Sequence, residues 1–104
     1  MTIISTEASR AFINGDKYKA SNTQVLNVDG VTTMKLFGNP IASKTEAQGL
    51  RITNSGWMTK TTRERLNAIP GVWVRQSKGI WYLNEREWNG EWVNVLEWDK
   101  DKKP

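Results

Sequence analysis

Three groups of residues in this chain have the types and spacing for chemistry. The first is Trp73-Val74-Arg75, followed closely by Trp81-Tyr82. Alternate residues of a strand point the same way, so Trp73 and Arg75 share a face. If Lys78-Gly79 makes a two-residue turn, Arg75 faces Tyr82; if the loop is Ser77-Lys78-Gly79, Trp81 takes that place. Either arrangement suits stacking of nucleic-acid bases, at about 1–3 kcal/mol per base. It suits a protein hot spot equally, since Trp, Tyr and Arg are enriched there. The competing structural reading is a covered face with Trp73 in the core.

The second group is Thr59, Lys60, Thr61, Thr62 and Arg63. Hydroxyls and cations at a helix start sit beside free backbone N–H groups and the positive end of the helix dipole, where phosphates bind. Lys60, Arg63 or Glu64, and Asn67 fall on one helical face, and Arg and Asn are residue types that read guanine and adenine edges. The competing reading is an amphipathic helix with a solvated polar face. The third group is Glu85, Glu87 and Glu91. Clustered carboxylates can hold Mg²⁺ or run acid–base chemistry. They surround turns with Arg86 among them and read better as a solvated rim. Lys78-Gly79 lacks the glycine spacing of a phosphate-binding loop.

Composition narrows the choice. The 104 residues include no Cys and no His. Disulfides, thiolate metal sites, cysteine nucleophiles and the usual general base are therefore excluded. An enzyme is not expected, nor is any cofactor or metal. Lys and Arg number 15 against 11 Asp and Glu, for a net charge of +4. Residues 44–79 hold seven bases and two acids, whereas residues 85–104 hold four bases and six acids. The expected function is non-enzymatic binding of DNA or RNA. Lys60, Arg63, Arg65, Arg75 and Lys78 would contact phosphates, Asn67 would lie beside them, and Trp73 and Tyr82 would stack on bases. The alternative is an anti-host or anti-defence protein that inhibits a bacterial protein by surface binding. No apolar run approaches the roughly 20 residues needed to cross a bilayer, and the start lacks the basic and apolar regions of a signal peptide.

The elements that must position these residues are short. Residues 1–9 are polar and aperiodic and read as a loose terminus. Thr23–Val28 and Val31–Phe37 read as strands about an Asp29-Gly30 type I′ turn. Gly38-Asn39-Pro40 reads as the next turn, followed by strands at Ile41–Lys44 and Leu50–Thr53. Thr61-Thr62-Arg63-Glu64 matches a capping box and opens a helix over about 60–69, whose Thr62, Leu66 and Ile69 share a face. Pro70-Gly71 ends it. Strands follow at Val72–Gln76 and Ile80–Leu83. Turns come at Asn84-Glu85 and Asn89-Gly90, and a last strand at Glu91–Trp98. Residues 99–104 read as a charged flexible tail. The expectation is one α+β domain over 10–98: a twisted antiparallel sheet of about five to seven strands carrying one short helix. An exposed strand edge could pair two copies.

Three blocks carry a family resemblance. They are Leu36-Phe37-Gly38-Asn39-Pro40-Ile41-Ala42; Ile52-Thr53-Asn54-Ser55-Gly56-Trp57 with Thr61-Thr62-Arg63-Glu64-Arg65-Leu66-Asn67-Ala68-Ile69-Pro70-Gly71-Val72; and Trp81-Tyr82-Leu83-Asn84 with Trp88-Asn89-Gly90. In these the chain resembles a family of small tailed-bacteriophage proteins. It departs from the pattern at Glu85, where a Gly usually follows the Asn. The resemblance brings no activity and carries over no functional residue. It implies a phage protein acting in the cytoplasm of the host bacterium.

Overall fold

Tight left-handed turns set the architecture. Asp29-Gly30, Phe37-Gly38, Lys78-Gly79 and Asn84-Glu85 all have positive φ at both residues. That geometry matches the twist of paired strands and makes two-residue hairpins. The computed structural model describes residues 3–100. In chain order the elements are α1 (Ile3–Asn14), β1 (Tyr18–Ala20), β2 (Thr23–Val28), β3 (Val31–Leu36), β4 (Asn39–Thr45) and β5 (Gly49–Ile52). Then come α2 (Lys60–Asn67), β6 (Val74–Ser77), β7 (Ile80–Leu83), β8 (Arg86–Glu87), β9 (Val93–Asn94) and α3 (Val95–Lys100). The fold is α+β and sheet-dominated. Among the described residues nine strands form two antiparallel sheets, ordered β1-β2-β3-β4-β5-β9 and β6-β7-β8, rather than one sheet of five to seven.

The core lies on one face of the six-stranded sheet. Val25, Met34, Ala42 and Ile52 stand in register across β2 to β5 and are fully buried. A register shift beside Met34 turns both Ile41 and Ala42 inward. Ala8 and Phe12 of α1 and Leu66 of α2 join the same cluster.

Three local expectations are corrected. Residues 3–14 form α1 rather than a loose terminus, because Ser5, Ala8, Ser9, Ala11 and Phe12 bury one side of it. Most of these side chains are small or polar, so the buried stripe hardly registers as hydrophobic periodicity. Ser9 Oγ donates to the Ala68 carbonyl at 2.6 Å, and Lys44 Nζ caps the α1 C-terminus at the Ile13 carbonyl at 2.7 Å. Tyr18 donates to Glu7 at 3.1 Å, and burial followed by the Glu7 carboxylate raises its pKa above the ordinary tyrosine value. The α2 cap is Thr59, two residues earlier than the expected box: its hydroxyl accepts from the Thr62 N–H. The last strand stops at Asn94, whose Oδ1 accepts from the Glu97 N–H at 3.0 Å and opens α3. The expected tail therefore begins inside α3, and its residues 101–104 lie outside the described residues.

Candidate functional site

The aromatic–guanidinium platform forms, and its register is settled. Lys78-Gly79 is a two-residue turn, and Arg75 pairs with Tyr82. Alternation then puts Trp73, Arg75, Ile80 and Tyr82 on the outward face of the three-stranded sheet. Trp73 is 52% exposed and Ile80 41%. The Arg75 guanidinium lies 4.2 Å from the Tyr82 ring centroid, a cation–π contact of about 0.5–1 kcal/mol at such a site. Its Nε also donates to Glu85 at 3.1 Å. Glu87 stands opposite Tyr82 on β8. With Lys78 in the turn, cations and carboxylates balance on this face. Trp73 is anchored by its backbone: its N–H donates to Asn84 Oδ1, and its carbonyl accepts from the Asn84 N–H.

The helix start does not join this platform. Arg63 donates to Gln76 at 2.6 Å and lies 5.6 Å from the Trp81 ring centroid. Gln76 pairs with Trp81, so both point away from the Arg75–Tyr82 row. α2 thus packs beneath the hairpin while the platform faces the other way. Two expected site residues are corrected outright. Arg65 is only 5% exposed, and its guanidinium donates to Thr23, Ser5 and Asn22, tying α2 to α1 and β2. It is a core residue with no phosphate-facing surface. The Asn67 amide accepts from the Val74 N–H at 2.6 Å and donates to the Val74 carbonyl at 2.9 Å. It pairs with β6 as a neighbouring strand would, so its edge is occupied. Lys60 and Lys78 are exposed as expected.

The tryptophans divide by environment. Trp81 and Trp88 are buried, with ring centroids 6.2 Å apart. Trp88 Nε1 donates to the Glu91 carbonyl, whereas Trp81 Nε1 has no partner among the described residues. Trp98 is half-buried, donates to the Leu83 carbonyl, and has Arg86 at 3.6 Å from its ring centroid. Trp57 is 49% exposed. Glu85, Glu87 and Glu91 are exposed.

Sequence reasoning missed a second surface. The outward face of the six-stranded sheet, turned away from α1 and α2, carries Lys19, Gln24 and Lys35 in one row and Leu26, Thr33, Ser43 and Arg51 in the next. No outward strand position on it is a carboxylate. The Arg51 guanidinium stacks 5.4 Å from the Trp92 ring centroid. Lys19 and Lys35 lie outside the basic stretch 44–79 that holds Arg51, so no local charge run joined the three. Strand alternation applied to the meander would have found them.

Fold and surfaces together define a small α+β protein that presents two chemically different outward sheet faces. The chain matches the family described as Kyanoviridae Gp96 protein over residues 1–102 and belongs to that phage protein family. The expectation of a small phage protein family therefore holds. No curated protein and no solved structure matches the chain. Among the described residues no helix is long and apolar enough to cross a membrane.

Proposed function

We propose that this phage protein is a non-enzymatic binder, working in the host cytoplasm, that grips a bacterial protein with the outward face of β6 to β8. The observation that carries this reading is the outward, charge-balanced cluster of exposed Trp73 and Ile80 with half-buried Arg75 and Tyr82. Aromatic and Arg side chains with matched charges suit the desolvated centre of a protein interface. A phosphate backbone would have to compete with Glu85 for Arg75. Photo-cross-linking from a probe placed at Ile80 tests the assignment in the infected or expressing bacterium. One host protein should be captured, and capture should vanish in a Trp73→Ala/Tyr82→Ala chain. Cross-links that persist in that double variant, or none at all, would overturn it.

Nucleic-acid binding keeps one specific support, moved to a new place. Lys19, Lys35 and Arg51 share the carboxylate-free face of the six-stranded sheet. Binding there would weaken as salt rises, because neutralised phosphates release counterions. A filter-binding titration of single-stranded DNA and of RNA across salt, repeated with Lys35→Glu, checks it. An affinity without a salt slope removes this second reading.

A further inference from the structure

Where β5 meets β9, the residues just after one strand and just before the other line an open cleft of about 590 Å³. Thr53, Asn54, Ser55 and Gly56 form one wall, and Asn89, Gly90, Glu91 and Trp92 the other. The frame is held by Gly90, whose carbonyl accepts from the Asn54 N–H at 3.0 Å and from Thr53 Oγ1 at 2.6 Å. A Cβ at Gly90 would run into the Asn54 amide. The Asn89-Gly90 segment therefore serves as a wall and not as the hairpin turn its sequence suggests.

We propose that this cleft binds a neutral, hydroxyl-rich ring, a hexopyranose unit of a glycan. Trp92 is 40% exposed and gives the cleft a flat apolar wall of ring size. Arg51 lies over the Trp92 ring at 5.4 Å from its centroid and favours this indole position, which lowers the ordering cost of binding. The floor holds a polar side chain with one donor open to the cleft. Asn54 is 3% exposed, and its Oδ1 accepts from the Gly56 N–H at 2.8 Å. Its Nδ2 donates to no described residue. That donor keeps solvent contact, so a ligand hydroxyl at this place can take the position of a water as its acceptor. At the rim, Glu91 offers an acceptor and the Asn89 amide a donor, since Asn89 Oδ1 is taken by the Glu91 N–H at 3.0 Å.

Neighbouring sugar hydroxyls each both donate and accept, so they match this mixed set. No Lys or Arg lines the cleft, and Glu91 does. A phosphate or carboxylate ligand would meet the Glu91 carboxylate there, and the neighbouring Arg51 is already turned onto the Trp92 ring. A purely apolar ligand would leave Asn54 and Glu91 desolvated without partners. The cleft volume lies in the range of small-ligand sites, about 300–1,000 Å³.

The test is an NMR titration of the full-length protein with glucose, galactose, mannose and N-acetylglucosamine and with linear trisaccharides of each, to about 10 mM. At least one sugar should shift the Asn54 side-chain amide and the Trp92 indole signals and leave Trp73 unmoved. Trp92→Ala should weaken that binding about tenfold or more. Because Trp92 is partly exposed, the variant should retain the hairpin signals of Asp29-Gly30 and Lys78-Gly79, which establishes that it folds. Asn54→Asp keeps the acceptor and removes the donor, and should weaken binding while Trp73→Ala does not. No shift with any of these sugars overturns the proposal. So does binding that survives Trp92→Ala, or adenosine monophosphate binding the same residues more tightly than every sugar.

Discussion

The two outward sheet faces use the same backbone grammar and arrive at opposite chemistry. On the three-stranded sheet every outward or neighbouring guanidinium is engaged: Arg75 with Glu85 and Tyr82, Arg63 with Gln76 and Trp81, Arg86 with Trp98. On the six-stranded sheet Lys19 and Lys35 stand outward without a carboxylate in their rows, and Arg51 lies over the rim indole Trp92. The first face is aromatic and charge-balanced, the second cationic and hydroxyl-bearing. The contrast teaches that charge along a chain is a poor guide to charge on a surface. The seven bases of residues 44–79 scatter. Lys44 caps α1, Arg51 joins the six-stranded face, Arg65 enters the core, and Arg63 braces the hairpin from beneath.

The sharpest way to break the contrast is at Arg65. If it belongs to the core, Arg65→Ala leaves Thr23, Ser5 and Asn22 short of a donor and opens a void. The expected loss is about 3 kcal/mol, read as a lower urea midpoint. An unchanged midpoint with weakened nucleic-acid binding would instead return Arg65 to the surface. Asn67→Ala comes next. It removes both bonds to the buried Val74 backbone, and about 2 kcal/mol of stability should go with them. Its loss should also loosen β6, so hydrogen exchange at Val74 should quicken.

Trp73→Ala separates folding from binding. Trp73 is half exposed, so the melting midpoint should move by the equivalent of no more than about 1 kcal/mol. Capture of the protein partner should fall by about 2 kcal/mol, some thirtyfold, if the indole is a hot spot. Lys35→Glu does the converse. It should leave capture intact and lower the salt slope of nucleic-acid binding by about one.

What the sequence made legible, it did through turns and one helix. Asp29-Gly30 and Lys78-Gly79 marked two hairpins, and Thr62 and Leu66 marked the buried face of α2, with Ile69 buried just past its end. The Trp73–Arg75–Tyr82 cluster followed from alternation once the turn length was known. The misses have physical causes. α1 buries Ser and Ala side chains close against the sheet, where the usual hydrophobic stripe is absent. α3 is capped by Asn94 with Glu97 three residues on, a capping signature hidden inside what alternation read as strand. Asn89-Gly90 has the composition of a hairpin turn. Its carbonyl is claimed by Thr53 and Asn54, thirty-odd residues away, and no local rule reports that contact. Arg65 and Asn67 misled for the same reason, since long polar side chains serve the interior as readily as a ligand.

The smallest expected effect converts one face toward the other. Glu85 holds φ at +73° in the second position of its turn, where glycine fits best. A left-handed residue with a side chain costs about 1 kcal/mol. Against this, the exposed Arg75–Glu85 pair contributes no more than about 1 kcal/mol. Glu85→Gly should therefore change stability by less than about 0.5 kcal/mol, because the relief of strain and the lost ion pair nearly cancel. Its effect on chemistry should exceed its effect on folding. Arg75 remains stacked on Tyr82 but loses its counter-charge, so the aromatic face gains one net cation. A salt-dependent affinity for single-stranded DNA should then appear on that face with a slope near one. Trp73→Ala in the same chain should abolish it. If Glu85→Gly leaves the slope unchanged, the ion pair is not what distinguishes the two faces, and the difference lies in the backbone shape of the sheets themselves.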